Sequence, residues 1–203
     1  MEAGEQALMV SPSGAGKSTL LNLIAGLLDP ASGTVLIEGQ NIHTLRGASR
    51  DAFRGQRVGM IFQTFNLLTG FSALENVMVA LLFAGVAERE HRPKALAMLE
   101  RLGVRRIDAP VDEMSVGQQQ RVAVARAMVC NPALVLADEP TASLDPANAQ
   151  GAMDLIQSVC REKGAALLCV SHDPSFAGRF ERKESLTTES AESKQGRKEG
   201  CES

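Results

Sequence analysis

The stretch MVSPSGAGKST, from Met9 to Thr19, places glycines and small residues ahead of a lysine and two hydroxyls. Glycines at 14 and 16 let backbone N–H groups approach phosphate oxygens, Lys17 supplies a positive charge for the β- and γ-phosphates of a nucleoside triphosphate, and the Ser18 hydroxyl suits Mg²⁺. Ser13, Gly14, Ala15, Gly16, Lys17, Ser18 and Thr19 are therefore the candidate nucleotide contacts of this segment. The spacing is that of a Walker A loop with one departure: Ser11 stands where the pattern G-x-x-x-x-G-K-[ST] opens on glycine. A positive φ at that serine would cost on the order of 1 kcal/mol, which a folded domain tolerates.

A second group of chemical residues lies in LVLADEP, where an apolar strand delivers Asp138 and Glu139 to its carboxyl end. That is the edge at which open α/β sheets bind ligands. Asp138 would hold Mg²⁺ through water, and Glu139 would orient or deprotonate an attacking water. Two acids at a strand end can also be plain solvated charges, and it is their company with the lysine loop that favours chemistry.

These residues need elements to hold them. Leu20, Leu21, Ile24, Leu27 and Leu28 recur at helical spacing after the loop, and Asp29-Pro30 ends the run. TVLIEG and RVGMIFQ read as strands. Between Asn66 and Cys130 the texture is helical: Ser72 and Glu75 have capping-box spacing, and Pro93 is expected to open a second helix that stops at Gly103. Val122, Ala125 and Val129 form a buried stripe in a further helix. ALVLADE and AALLCVSH read as buried parallel strands. Between them Asp145-Pro146 opens a helix as N-cap and first residue, and Lys163-Gly164 closes it. After Phe180 the chain is polar and of mixed charge, which predicts a disordered tail.

Composition narrows the classes. The chain has 203 residues, 44% hydrophobic and 22% charged, enough for one sizeable core. Its longest apolar run, Val77 to Ala87, is far below the roughly 20 residues that span a bilayer. No charged leader with an apolar segment precedes the loop, and Cys130, Cys160, Cys169 and Cys201 show no metal-ligand spacing, so a cytoplasmic location is expected. A formal charge of -3 gives no reason to expect a nucleic-acid partner. Trp and Tyr are absent, so stacking on a ligand must come from the seven Phe residues or from a partner.

Together the motifs resemble the nucleotide-binding subunits of ABC transporters. MSVGQQQRVAVARAMVCNPALVLADEPTASLD looks like that family's signature sequence, Walker B segment and D-loop in unbroken order. Gln63 in IFQTFNLL matches the Q-loop, and His172 in VSHD matches the switch histidine. The resemblance covers about residues 1 to 180, and LADEPTASLD and ALENV look most like the branch serving lipoprotein release and macrolide or lipid export. It implies an α/β fold: a P-loop NTPase (RecA-like) parallel-sheet core with an inserted helical subdomain and an incomplete N-terminal β-subdomain. Residues 1–66 and 131–180 would form the core, 67–130 the helical subdomain with the signature, and 181–203 the tail.

The resemblance also implies a mechanism. The chain would bind ATP and Mg²⁺ and hydrolyse ATP, with Glu139, His172 and Gln63 as catalytic residues and Ser18, Gln63 and Asp138 on the metal. Two such subunits, a homodimer or a paired ATPase, would stack head to tail, so that Ser115 and Gly117 of one meet the γ-phosphate held by the other; Gln118 and Asp145 join the nucleotide contacts. Donors and metal would surround the charge that develops on the transferred phosphoryl group. Transmembrane permease subunits would be the partners, placing the chain peripherally on the inner face of the cell membrane.

The sequence also departs from the pattern. Val116 replaces the signature's first glycine, and a positive φ there would strain the backbone by about 1–3 kcal/mol. The family's strand-rich segment ahead of the Walker A loop, with its aromatic adenine platform, is missing before Met1 to Val10, and the far end is altered. A degenerate or truncated cassette that binds nucleotide weakly or not at all is the alternative. A soluble ABC protein of translation or chromosome maintenance fits less well, since there is one cassette and no long heptad segment.

Overall fold

The computed structural model describes residues 1–10 and 16–186, apart from the Ala147 side chain. In chain order the elements are β1 (Gln6–Val10), α1 (Lys17–Ile24), the short strands β2 (Leu36–Ile37) and β3 (Gln40–Asn41), α2 (Gly47–Arg57), β4 (Val58–Ile61), α3 (Ala73–Phe83), α4 (Glu88–Arg101), α5 (Val116–Met128), β5 (Leu134–Asp138), α6 (Pro146–Lys163), β6 (Ala166–Val170) and β7 (Arg182–Ser185). The five-stranded sheet runs β4-β5-β6-β1-β7, every neighbouring pair parallel, while β2 and β3 form a separate antiparallel pair.

Strand periodicity divides the core. Leu8, Ile61, Val135, Ala137, Leu167 and Cys169 face one side, where α3 to α6 supply Leu81, Leu99, Met128 and Met153. Ala7, Met9, Val58, Leu136, Leu168 and Val170 face the other, against Leu21 and Ala25 at α1 and Ile37 and Ile42 beyond it. Apolar residues on both faces are what a parallel sheet covered by helices on each side requires. Because the strands are parallel, all their carboxyl ends share one edge, and the chemical residues of the sequence lie just past those ends.

Local signals account for several boundaries. Ser72 and Glu75 form the expected capping box on α3. Asp145 caps α6 by accepting from the Asn148 N–H, Pro146 is its first residue, and Gly164 ends it at φ 68°.

Two expectations are corrected. The helix assigned to start at Pro93 starts at Glu88, leaving Pro93 inside α4. Glu88 and Glu90 suit the positive end of the helix dipole, and buried His91 anchors its ring through Nε2 to the Val86 carbonyl at 2.8 Å, which fixes the turn ahead of the proline. The polar segment assigned to a disordered tail from residue 181 contributes β7, whose four exposed residues pair with β1 from Ala7↔Arg182 to Val10↔Ser185. A ladder on an exposed edge needs backbone groups, not apolar side chains, and Arg182 adds contacts to Glu5 and Glu184 at 2.9 and 2.8 Å. The rest of that segment, 187–203, lies outside the described residues.

Candidate functional site

Four parallel strands end side by side; β1, β4 and β5 deliver one cleft, and β6 delivers His172 to an adjacent space that shares Glu139 with it. β1 leads into the lysine loop, whose Ser13, Gly14 and Ala15, together with Ser11, lie outside the described residues. Gly16 has φ 84°, a left-handed turn suited to glycine, and it caps α1 directly before Lys17. β4 leads to Gln63, β5 ends on Asp138, and β6 leads to His172, with Ile61 paired to Ala137 and Asp138 to Val170. Gly16, Lys17, Ser18, Thr19, Gln63, Asp138 and Glu139 line a single cleft of about 390 Å³.

Glu139 is its most constrained member. It takes φ 47°, which costs a non-glycine residue about 1 kcal/mol. Its N–H donates to the Val170 carbonyl at 2.9 Å, carrying the β5–β6 ladder one residue past Asp138. The side chain is 12% exposed, with Oε1 at 2.8 Å from His172 Nδ1 and 4.0 Å from Lys17 Nζ. Oε2 accepts from the His172 backbone N–H at 3.3 Å. One carboxylate is thus held between a buried lysine and both N–H groups that His172 turns toward it. With Nδ1 engaged by Glu139, Nε2 is the ring nitrogen left for another partner.

Ser18, Gln63 and Asp138 bring a hydroxyl, an amide oxygen and a carboxylate into this cleft. These are hard oxygen donors with a single negative charge among them, a set that fits Mg²⁺ shared with phosphate oxygens and water. Lys17 beside them suits a phosphate chain.

Ser115, Gly117 and Gln118 do not line this cleft. Ser115 caps α5 by accepting from the Gln118 N–H at 3.4 Å, so the first-turn N–H groups of α5, which have no partner within the helix, gather at this point. Val116 is the first helical residue and is absent from the positive-φ positions, with its side chain 45% exposed. The strain expected from replacing glycine there does not arise, because a helical φ is open to valine. Asp145 also stands away from the cleft, as the cap of α6.

Gln120 was not singled out in the sequence, yet it is buried and its Nε2 donates to the Pro140 carbonyl at 3.1 Å, directly after Glu139. Its signal was phase: a glutamine three and four residues ahead of buried Ala123 and Val124 sits on the apolar face, where an amide needs a partner.

Known proteins of one family are similar to this chain in sequence and fold. The family model described as ABC transporter matches residues 1–142. A lipoprotein-releasing system ATP-binding protein LolD of Shewanella denitrificans is 42% identical over 180 residues, 88% of this chain and 77% of that protein. LolD 1 of Caulobacter vibrioides is 45% identical over 186 residues, 91% of this chain and 80% of that one. The macrolide export ATP-binding/permease protein MacB of Syntrophobacter fumaroxidans is 41% identical over 86% of this chain, which spans 25% of MacB. Among solved structures, the ATP-binding cassette MJ0796, in a dimeric post-hydrolysis state bound to ADP and Pi, superposes with a TM-score of 0.81 at 35% identity, covering 92% of this chain and 83% of that one.

Proposed function

This chain belongs to the ABC transporter family as an ATP-binding cassette, similar to the lipoprotein-release and macrolide-export branch, and we propose that it hydrolyses ATP to drive separate membrane subunits. The observation that carries the reading is the convergence of Lys17, Ser18, Gln63, Asp138 and Glu139 on one cleft, with His172 hydrogen-bonded to Glu139.

Ser18, Gln63 and Asp138 are the residues that would hold Mg²⁺, which would supply charge neutralisation at the phosphates. An arriving triphosphate gives Lys17 a stronger partner than Glu139 at 4.0 Å, so the lysine turns to phosphate and releases one side of the carboxylate. Glu139, still held by His172, orients the attacking water and accepts its proton. His172, with Nδ1–H on Glu139, would donate from Nε2–H to a γ-phosphate oxygen, where negative charge develops, only as the doubly protonated ring. The first turn of α5 is the further donor site, and its absence from the cleft supports a head-to-tail pair in which Ser115, Gly117 and Gln118 of a second copy complete the site. Partner permeases would hold the chain at the inner face of the membrane; among the described residues no helix is long and apolar enough to cross one.

Equilibrium binding of Mg²⁺-ATP and steady-state hydrolysis, measured with circular dichroism to confirm folding, test this. Lys17→Ala is expected to lose binding, and Glu139→Gln to keep binding while turnover falls by roughly 10²–10⁴-fold, the usual worth of a general base. Binding indifferent to Lys17, or hydrolysis unchanged in Glu139→Gln, refutes the assignment.

A further inference from the structure

The loop after β4 that presents Gln63 is held by side chains from two other parts of the fold, each on a backbone carbonyl. Ser143 Oγ donates to the Gln63 carbonyl itself at 2.9 Å. Arg126 donates from Nη2 to the Phe65 carbonyl at 2.7 Å and from Nη1 to the Asn66 carbonyl at 2.6 Å. Phe65 and Asn66 are both left-handed, at φ 60° and 48°. Two successive non-glycine residues in that region cost about 1 kcal/mol each and persist only where surroundings impose them. The planar guanidinium fork imposes them here, since both carbonyls must turn toward the same cation.

Arg126 lies in the last turn of α5, and desolvation of its guanidinium disfavours the charge. Among the described residues no carboxylate pairs with it, so the Phe65 and Asn66 carbonyls are what compensate a half-buried cation. Such a cation cannot leave those carbonyls cheaply, because bonds to a charged donor are about twice as strong as neutral ones. Ser143 sits in the segment between β5 and α6, two residues ahead of Asp145. The Gln63 loop is therefore pinned to the helix that opens at Ser115 and to the turn that caps α6.

We propose that Arg126 and Ser143 are positioning residues for Gln63, fixing the loop that brings its amide to the metal–nucleotide complex and tying it to α5 and to the segment before Asp145. This rests on the reading of Gln63 as a metal-side contact given above. The function assigned to the two residues is thus exerted through Gln63 and not by touching nucleotide.

The test is the Mg²⁺ enhancement of ATP binding: the ratio of ATP affinity in saturating Mg²⁺ to that in EDTA, read by calorimetry on the full chain. Outer-shell partners of metal ligands are worth roughly 10–100-fold, so Arg126→Met is expected to cut the ratio by about that factor. Ser143→Ala is expected to cut it severalfold, and Arg126→Lys to fall between, since an ammonium lacks the planar two-nitrogen fork that meets the two carbonyls. Affinity in EDTA should stay within about twofold in all three, because the phosphate contacts of Lys17 do not pass through this loop. A merely structural role would lower the melting temperature and weaken both arms alike. If Arg126→Met does not fold, Arg126→Lys and exposed Ser143→Ala decide: wild-type ratios in both overturn the proposal. A wild-type chain that binds ATP equally with and without Mg²⁺ removes the metal-side reading of Gln63 and this inference with it, whereas normal enhancement in wild type and variants alike removes the inference alone.

Discussion

Gly59, within β4, lies against the backbone at the end of α5, and replacing it by alanine gives a sharp test of the packing. A Cβ there would lie 2.4 Å from the Ala127 carbonyl oxygen, 3.1 Å from its carbon and 3.2 Å from Pro132 Cγ. A relaxed carbon–oxygen contact is about 3.3 Å, so the last turn of α5 must withdraw by roughly 1 Å. Two effects oppose each other. Loss of glycine stiffens the unfolded chain and stabilises by about 0.4–1 kcal/mol, since φ at Gly59 is not positive. Overpacking against backbone costs about 1–3 kcal/mol, because neither the strand nor the helix can move a single atom alone. The collision wins, for a net loss of about 1–2 kcal/mol.

At about 2–4 °C per kcal/mol for a chain of this size, Gly59→Ala should lower the melting temperature by about 2–8 °C, read by circular dichroism. Gly151→Ala is the internal control. It lies within α6 with nothing within 4 Å of its would-be Cβ, so the same chemical change should stabilise by about 0.5–1 kcal/mol and raise the melting temperature by about 1–4 °C. Opposite signs at the two glycines are the signature of the close approach. A Gly59→Ala protein that melts at or above the wild-type temperature, while Gly151→Ala behaves as stated, would refute the contact between β4 and α5.

Asp29 is held below its ordinary value of 3.8, first by the His43 hydrogen bond and then by Arg50 and Arg46. A depressed carboxylate stabilises above its unfolded value and loses that contribution as pH falls through the folded one, so Asp29→Asn should be less stable than wild type at neutral pH, with the difference closing below about pH 4 in urea titrations. Burial pushes the Cys160 thiol up to about 12 and the Cys130 thiol up to about 11, and it raises Cys169 further, beside the charges of Glu139 and Asp138. Iodoacetamide at pH 8 should leave Cys160 and Cys169 unmodified in the native chain and alkylate both in urea; native labelling at either site, mapped by mass spectrometry, would contradict the burial.

The parts legible in the sequence were those governed by neighbouring residues. Ser72 with Glu75, Asp145 with Pro146, and Gly164 act within one turn, so their types fix the boundaries. The buried runs of β5 and β6 carry their own period, and β5 ends on Asp138 because charge cannot continue a buried strand. What escaped is tertiary. Nothing in RKES marks a strand; it becomes one because β1 has a free edge beside it. Nor does Pro93 mark an interior helical position, which depends on the anchoring of His91 at Val86. Gln120 and Arg126 are ordinary helix residues by type, and only the opposing carbonyls of Pro140, Phe65 and Asn66 give them work.

The cleft combines parts of unequal rigidity. Asp138, Glu139 and His172 ride on β5 and β6, whose ladder is continued by the Glu139 N–H to Val170, so their separation is set by backbone bonds in the middle of the sheet. Gln63 follows β4 at the sheet edge and is joined to the rest through three side-chain contacts, two of them from α5. Contacts of that kind open at lower free energy than core strands. α5 in turn packs on α3 and α4 and begins at Ser115, where a second copy would bind. α5 thus meets the cleft's surroundings at two points, through Arg126 at the Gln63 loop and through Gln120 at the Pro140 carbonyl beside Glu139, so a partner docking at its start would bear on both.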